Sequence, residues 1–412
     1  MKRLTLEEWE QDYIVRPIRR FDEKYTMFSR PIWDPQIKEL LRWVLERTPS
    51  KRTPGNTLLD QALRVGSRMG VMMHLFENDR PNPSTIAREI GAIATPERVA
   101  RNIMVSLPPE DEKWDVSDAL KITRDIKNAA TYYGADMVGI CKLDKRWIYS
   151  HSFDLGSGEH FPQEVPEEFQ FTIVMGYEEN YEMLRYAPTY IADAETSLGY
   201  SRMAITNAYM SKFIKTLGHK AMSCSTNTIG ITIPMAMQAG LGQIGRNGLL
   251  IAPKFGPRLR ISKVLTDLPL IPDSPIDFGV TEFCDACKIC SDKCPGQAIS
   301  DGGRTPEARN ESNSPGALKW PIDAVKCIGQ WSRIRKPCTI CISICPFNKP
   351  HNWFHMTVRW FVDHVRWADP FYARMDKVFG YGKPAEADGF WDRWQPQPGR
   401  GERVKVKKGG KQ

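Results

Sequence analysis

The feature that most constrains this chain is the placement of its cysteines. Eight of the ten lie between positions 284 and 345, in two runs that each end in a Cys-Pro pair. The runs are Cys284, Cys287, Cys290 and Cys294, followed by Cys327, Cys338, Cys341 and Cys345. Disulfide frameworks are typical of small secreted chains, whereas this chain has 412 residues and no apolar leader. Clustered thiols in such a chain indicate bound metal.

The spacing of the cysteines favours iron–sulfur clusters over zinc. Zinc sites usually pair two Cys-x-x-Cys knuckles across a spacer, because one tetrahedral ion takes two ligands from each. Here cysteines at two-residue gaps precede a more distant Cys-Pro, whose cysteine in two-cluster ferredoxins binds the neighbouring cluster. We therefore predict two 4Fe–4S clusters, with zinc or eight buried reduced thiols as the alternatives. Cluster 1 takes Cys284, Cys287, Cys290 and Cys345, and cluster 2 takes Cys294, Cys327, Cys338 and Cys341.

The segment before the cysteines is predicted to alternate helix and strand. Apolar residues at helical spacing predict one helix from Ser117 to Gly134 and another from about Ser201 to Gly218. Short apolar runs predict strands at "DMVGICKL", "FQFTIVMGY", "KAMSC" and "RLRISKVLTDL", and "IPMAMQAG" predicts a further helix. This alternation favours an α/β sandwich of roughly 150 residues.

Helical patterns also flank this central part. "PQIKELLRWVLER" and "NTLLDQALRVGSRMGVMMHLF" are predicted helices before it. After Cys345, one helix face is predicted to pack, and it holds Trp353, Phe354, Val358, Phe361 and Val365. We predict four regions: a helical N-terminal region at 1–115 that packs on the core, the α/β domain at 116–275, the cluster domain at 276–352, and a C-terminal helical segment with a basic tail at 353–412.

The glycine-rich stretch "GLGQIG" matches the dinucleotide pattern G-x-G-x-x-G at Gly240, Gly242 and Gly245. It follows a helix-like run and precedes a strand-like one, which is the reverse of the order in a Rossmann unit. We therefore predict no nicotinamide site there. Glycines at this spacing still allow the backbone to approach a flat ligand closely.

Charge and hydropathy exclude some functions. The net charge is +8, and much of it lies in the tail "GRGERVKVKKGGKQ", which is typical of a solvated chain end. No apolar run reaches the ~20 residues of a membrane span. The sequence as it stands predicts a cytoplasmic protein, and the alternative is an exported, membrane-associated one whose N-terminus has been trimmed.

Several motifs in order resemble the catalytic subunit of corrinoid-dependent reductive dehalogenases. They are "ETSLGYSRMAITNAYMSKFIKTLGHKA", "IPMAMQAGLGQIGRNGLLIAPKFGPRLRISKVLTDLPL", "FGVTEFCDACKICSDKCP", "CISICPFNK" and "MDKVFGYG". The resemblance implies a nitroreductase-like sandwich that binds cobalamin, joined to a ferredoxin-like domain with two 4Fe–4S clusters. It also implies reductive dehalogenation of an organohalide, in which C–X becomes C–H and halide leaves. No D-x-H-x-x-G motif is present, which fits a base-off corrinoid.

The same resemblance assigns roles to individual residues. Tyr200 matches the family's proton donor, Arg260 its supporting cation and Asn227 its polar partner. Trp331 matches an aromatic wall of the substrate pocket. The candidates for corrinoid contact are Gly242, Gly245, Arg246 and Asn247. Without the resemblance, Tyr200 reads as a core tyrosine, Arg260 as a surface arginine and Trp331 as packing beside a cluster.

The chain also departs from the family. It lacks the twin-arginine signal that most members carry and the fused reductase module of one branch, so an external ferredoxin, flavodoxin or membrane quinol system must donate electrons. The resemblance further implies a small membrane anchor protein and a homodimer as partners, and no nucleic acid. The alternatives are an epoxyqueuosine-reductase-like enzyme acting on tRNA, which would need a basic face, and a ferredoxin-like electron carrier.

Overall fold

The computed structural model of the chain describes residues 1–46, 50–71, 113–224, 228–350 and 352–393. The helices are α1 (Leu6–Tyr13), α2 (Pro35–Leu40), α3 (Arg42–Leu45), α4 (Leu58–Ser67), α5 (Ala119–Tyr132), α6 (Tyr181–Leu184), α7 (Tyr190–Thr216), α8 (Thr232–Gln238), α9 (Val280–Cys287), α10 (Ile289–Asp292), α11 (Ala324–Ile334), α12 (Ile340–Ser343), α13 (Trp353–His364), α14 (Asp369–Val378) and α15 (Phe390–Arg393). The strands are β1 (Lys2–Arg3), β2 (Met137–Lys142), β3 (His151–Phe153), β4 (His160–Pro162), β5 (Phe171–Glu178), β6 (Ala221–Cys224), β7 (Gln243–Ile244), β8 (Leu250–Ile251), β9 (Leu259–Thr266) and β10 (Ile276–Asp277).

The central sheet takes the strands in the order β2–β5–β9–β6, with every neighbouring pair antiparallel. Its two long strands, β5 and β9, are buried along most of their length, because helices cover both faces of the sheet. Ile173 and Val264 face a core that includes residues of α5 and α7. Val174 and Leu265 face a second core that includes residues of α8. The predicted α/β sandwich is confirmed.

Helix α7 is longer than the sequence predicted. It begins at Tyr190 rather than near Ser201, and it runs for 27 residues. Its first half is buried on several sides, with the sheet on one side and α4 on another. A helix that is covered on most sides shows no single apolar stripe, so periodicity could not reveal its start.

Helix α1 packs on this core, because Trp9 and Tyr13 belong to the same buried cluster as Val174 and Leu265. Strand β1 pairs with β10, next to the first cysteine run. The helix predicted near position 40 is interrupted at Leu41, where α2 ends and α3 begins. The second predicted helix ends at Ser67 as α4, and its remainder, like the basic tail, lies largely outside the described residues. The boundaries of the four predicted regions stay predictions.

After the cysteines, the predicted helical run appears as α13, and α14 follows it as a separate helix. The predicted packing face of α13 was wrong. Trp353 is 78% exposed, and Phe354 and Phe361 are also exposed, whereas His355 and Val362 are the buried residues. The aromatic residues therefore lie on the outer side of the helix. Among the helices of the described residues, none combines the length and the apolar character needed to cross a bilayer.

Candidate active site

Tyr200 lies near the middle of α7, and a buried network fixes that helix on the sheet. The Ser262 hydroxyl on β9 donates to Asn207 Oδ1 at 2.6 Å and lies 3.0 Å from the Tyr177 hydroxyl on β5. Asn207 Nδ2 in turn donates to the Lys263 carbonyl at 3.0 Å. Because all these groups are buried, leaving any of them unpaired would cost free energy. The network therefore sets the register of α7 against β9, two turns beyond Tyr200.

This register brings together Tyr200 and Arg260, as the sequence suggested. The Arg260 guanidinium carbon lies 5.1 Å from the centre of the Tyr200 ring. The arginine side chain is only 17% exposed, so it is not a surface arginine. Gly199 makes the approach possible, because a Cβ at this position would lie 2.7 Å from Arg260 Cγ.

A buried carboxylate holds Arg260 in place. Arg260 Nε donates to Glu179 Oε1 at 3.0 Å, and the Thr196 hydroxyl donates to the same oxygen at 2.9 Å. Burial alone lowers the pKa of Arg260, but the Glu179 charge, with Tyr200 adding to it, outweighs burial and raises that pKa. The guanidinium beside the phenol therefore keeps its charge, which would stabilise a phenolate.

A second guanidinium, which the sequence did not reveal, reaches the same ring. Arg68, the C-cap residue of α4, places its guanidinium carbon 5.6 Å from the Tyr200 ring centre. An ion pair between Arg64 and the buried Asp193 and a hydrogen bond from the Ser201 hydroxyl to the Ser67 carbonyl at 2.7 Å seat α4 on α7. The two arginines and the tyrosine lie far apart in sequence, so only the fold brings them together.

The other two residues assigned near the substrate are less defined. Asn227 lies outside the described residues. Trp331 is half-buried on α11, one turn after Cys327, and its place in a substrate pocket stays a prediction.

Two buried polar atoms near Tyr200, Ser197 Oγ and Glu179 Oε2, have no hydrogen-bond partner within the described structure. Such atoms fit a ligand that brings polar groups of its own.

The structure gathers the first predicted set of cysteines around one small cavity. Its lining includes Cys284, Cys287, Cys290 and Cys345, so the last cysteine of the second run joins three from the first. Burial raises the pKa of Cys284 to about 12 and that of Cys287 to about 11. Since metal ligands must be thiolates, a positively charged metal centre is what would deprotonate such thiols.

The remaining four cysteines form a second group. The pKa of the Cys341 thiol is raised to about 12. Burial is the largest cause, and the neighbouring Cys327, Cys338 and Cys294 add to it. The two groups adjoin each other, because Cys341 also contributes to the raised pKa of Cys290. This arrangement matches the crossed assignment, whose ligand roles stay a prediction.

Both runs use the same local turn. Lys288 and Thr339, each between the two cysteines of a Cys-x-x-Cys, have φ angles of 51° and 53°. A left-handed residue followed by a helical turn points successive N–H groups into one concavity, which suits a metal centre whose four thiolate ligands give it a net negative charge. Lys288 and Thr339 thereby give the two runs a common architecture.

The distances between the sulfur atoms distinguish the two kinds of metal. No three cysteine sulfurs of the described residues lie within 4.8 Å of one another. In a tetrahedral zinc site, with Zn–S bonds of about 2.3 Å, the sulfurs stand only about 3.8 Å apart. In a cuboidal cluster each sulfur binds a different iron and the ligands spread wider. The described geometry therefore favours clusters over zinc.

Arg246 and Asn247 contact the cysteine loops. Buried Arg246 donates from Nε to the Cys284 carbonyl at 2.9 Å and from Nη1 to the Ser300 and Gly302 carbonyls at 2.8 and 2.7 Å. Its guanidinium also lies 4.9 Å from the Trp320 ring centre. Asn247 lines the same cavity as the first cysteine group.

The two glycines of the "GLGQIG" stretch have packing reasons to be glycine. A Cβ at Gly242 would lie 2.1 Å from the Ile251 carbonyl oxygen, and one at Gly245 would lie 2.8 Å from the Ile251 side chain. The stretch forms the β7–β8 hairpin rather than a strand-to-helix turn, which agrees with rejecting a Rossmann site. A role of these residues toward a corrinoid stays a prediction.

Replacing Arg246 with methionine is expected to destabilise the cluster region. Three carbonyls of the cysteine loops would lose a charged donor, and a hydrogen bond to a charged group is worth about 1.5–3 kcal/mol. We expect the melting temperature of cluster-loaded protein to fall by roughly 5 °C or more, with faster loss of iron in a chelator. Arg333→Met, which removes an exposed arginine of α11, is the control and should melt like the unaltered protein. Equal melting temperatures for both variants would contradict the role of Arg246.

The fold and these sites define a class of proteins: a mixed α/β domain that carries a tyrosine–arginine pair and adjoins two centres of four cysteines. No family model matches the chain. Tetrachloroethene reductive dehalogenase from Sulfurospirillum multivorans is 37% identical over 303 residues, which are 68% of this chain and 60% of that protein. The chain belongs to the reductive dehalogenase family, and it spans about 60% of the length of this curated relative.

The fold of the chain is also found among solved structures. A solved reductive dehalogenase, whose structure was described as suggesting a mechanism for B12-dependent dehalogenation, superposes with a TM-score of 0.70 at 23% identity. The match covers 93% of this chain and 49% of that one. An epoxyqueuosine reductase from Lactococcus garvieae is 30% identical over 127 residues, only 30% of this chain and 33% of that protein. The tRNA-type alternative is therefore a weaker and partial match.

Proposed function

We propose that this protein reductively dehalogenates a small organohalide and that Tyr200 donates the proton. The observation that carries the proposal is the Tyr200 ring beside the charged Arg260 guanidinium, which the buried Glu179 carboxylate holds. Replacing C–X by C–H consumes two electrons and one proton and releases halide. The pair supplies the proton, and the cysteine centres provide a path for the electrons.

The geometry explains how a weak acid can serve as the proton donor. A phenol releases its proton readily only if the phenolate is stabilised, and a nearby fixed cation does this. Arg260 is held by Glu179 and shielded from water, so its charge acts at short range with little screening. Arg68 adds a second guanidinium from α4. Since α4 seats on α7 beside Tyr200, it also shields the phenol on that side.

The cofactors we propose are two 4Fe–4S clusters and a base-off cobalamin. Cys284, Cys287, Cys290 and Cys345 would hold cluster 1, and Cys294, Cys327, Cys338 and Cys341 would hold cluster 2. Cobalamin, when bound, supplies the two-electron chemistry at the carbon–halogen bond. Ser197 Oγ and Glu179 Oε2 fit such a ligand, because its amide side chains can donate to both buried oxygens. The adjoining cysteine groups fit electron transfer from one cluster to the other.

The partners that we propose follow from the same chemistry. Electrons come from an external donor, namely a ferredoxin, a flavodoxin or a membrane quinol system. A small membrane anchor protein and a second copy of the chain are the further partners implied by the family. We propose the cytoplasm as the compartment, and cell fractionation with an antibody against the protein tests the membrane-associated alternative.

The function is tested on protein reconstituted anaerobically with cobalamin, iron and sulfide. We expect about eight iron atoms and one cobalt per chain, and halide release from at least one member of a panel of aryl, vinyl and alkyl halides. Full metal content without halide release would overturn the dehalogenase proposal and favour the tRNA-type reductase. Iron without cobalt would leave only an electron carrier.

A further inference from the structure

A group of side chains of the kinds that bind metal lies outside the cysteine runs, at the β3–β4 hairpin and the segment beside it. The potential ligand atoms of Asp22, His151 and His160 all lie within 4.8 Å of one another. His160 Nε2 is 3.0 Å from both carboxylate oxygens of Asp22, and His151 Nδ1 is 3.9 Å from Oδ2. In the described part of the chain, this is the one such group of three.

The hairpin register explains why the two imidazoles meet. His160 pairs with Phe153 and His151 with Pro162, so both histidines lie on the same face at diagonal positions. Their ring centroids are 4.7 Å apart and the ring planes differ by 32°. The Ser150 hydroxyl, 3.1 Å from His151 Nδ1, gives that nitrogen a hydrogen-bond partner when no metal is bound. Two positively charged imidazoles this close would repel each other, whereas two neutral imidazoles and one carboxylate can share a cation.

The third ligand is held in place by its own segment. Asp22 is the N-cap of a short 3-10 helix and accepts a hydrogen bond from the Lys24 amide. The Ser150 amide donates to the Phe21 carbonyl at 2.8 Å, so the backbone beside Asp22 is tied to the hairpin. Arg20 adds hydrogen bonds to carbonyls on both sides of the hairpin. The three side chains are therefore presented from a fixed frame, as a binding site requires.

We propose that Asp22, His151 and His160 bind a divalent transition-metal ion of the zinc type. Imidazole nitrogens with one carboxylate suit zinc, nickel and copper, whereas magnesium and calcium prefer oxygen ligands alone. Zn–N and Zn–O bonds of about 2.0–2.2 Å at tetrahedral angles place ligand atoms roughly 3.3–3.6 Å apart. This separation lies between the 3.0 Å from His160 to Asp22 and the 3.9 Å from His151 to Asp22. The side chains are 20–40% exposed, so solvent can complete the coordination.

The ion would fasten residues 20–25 onto the hairpin. This segment and the hairpin together wall a cavity of about 820 Å³, to which Glu23, Ser152, Phe153 and Phe161 contribute. Glu23 follows Asp22 in the sequence, and Phe153 pairs with His160 across the hairpin. Metal binding at the surface would therefore stiffen that wall of the cavity. The role is structural and independent of the proposed dehalogenation.

The test uses cluster-loaded protein that has been dialysed against a chelator, so that the cysteines are already occupied. Zinc titrated by calorimetry should bind at one site per chain, raise the melting temperature and slow trypsin cleavage after Lys24. His160→Gln and Asp22→Asn should each weaken zinc binding by at least about tenfold, since each removes one of three ligands. His364→Gln, which alters an exposed histidine on α13, is the matched control and should bind zinc normally.

Two results would overturn the proposal. One is undiminished zinc binding in His160→Gln, which would place the ion elsewhere. The other is no binding to the unaltered protein at about millimolar zinc. Iron content, cobalt content and halide release are measured on the same samples, so failure of the zinc site is distinguishable from failure of the proposed function.

Discussion

Tyr200→Phe is expected to lower the rate of halide release by at least about a hundredfold, the contribution of a positioned general acid. The phenol is the proposed proton donor of the Tyr200–Arg260–Glu179 set, and Arg260 keeps its charge beside it because its pKa is raised. Phenylalanine keeps the ring, and with it the packing on α7 and the contact with the guanidinium. Iron and cobalt contents should therefore stay unchanged, and the loss should fall on turnover.

Tyr209→Phe provides the control for this substitution. Tyr209 lies on the same helix and is 47% exposed, so its loss should leave halide release intact. Normal turnover by Tyr200→Phe with full cofactor content would exclude Tyr200 as the proton donor. Equal losses in both variants would indicate damage to α7 rather than loss of an acid.

The sequence predicted what depends on local pattern. The strands at "DMVGICKL" and "FQFTIVMGY" appear as β2 and β5, because a short apolar run bounded by polar turns has few other folded forms. The helix from Ser117 to Gly134 appears as α5, ending where Gly134 takes a φ of 109°. The crossed grouping of the cysteines is also an expectation from their spacing. Three cysteines in one tight loop can bind three irons of a cluster, which leaves the fourth iron to a distant cysteine.

The sequence could not predict what depends on tertiary contacts. The first half of α7 has many small and polar residues that gain their burial from tertiary neighbours, namely α4, α6, α15 and the sheet, so its start was missed. The outer face of α13 is rich in aromatic residues, and periodicity wrongly placed its packing face there. Arg68 and Glu179 flank the Tyr200–Arg260 pair without any sequence motif of their own. Each reaches the site because α4 and the end of β5 pack against α7.

The crossed cysteine assignment leads to the second large effect, which is on iron content. Cys284→Ala combined with Cys345→Ala should remove a single cluster and leave about four of eight iron atoms, because both residues line one cavity. Cys284→Ala combined with Cys294→Ala should remove both clusters and leave almost no iron. Both double variants should lose halide release, since each interrupts the electron path.

These two double variants separate crossed from uncrossed ligation, which single substitutions cannot do. If each run held its own cluster, the two outcomes would be exchanged. The variant that lacks Cys284 and Cys294 would keep about four iron atoms, and the variant that lacks Cys284 and Cys345 would keep none. Cys141→Ala is the control, because Cys141 is buried in the sheet core on β2 and should keep all eight. A shared cluster region in which each run supplies a ligand to the other would explain why the two runs adjoin at Cys290 and Cys341. In such an arrangement, electrons would pass between two centres that the same loops hold together.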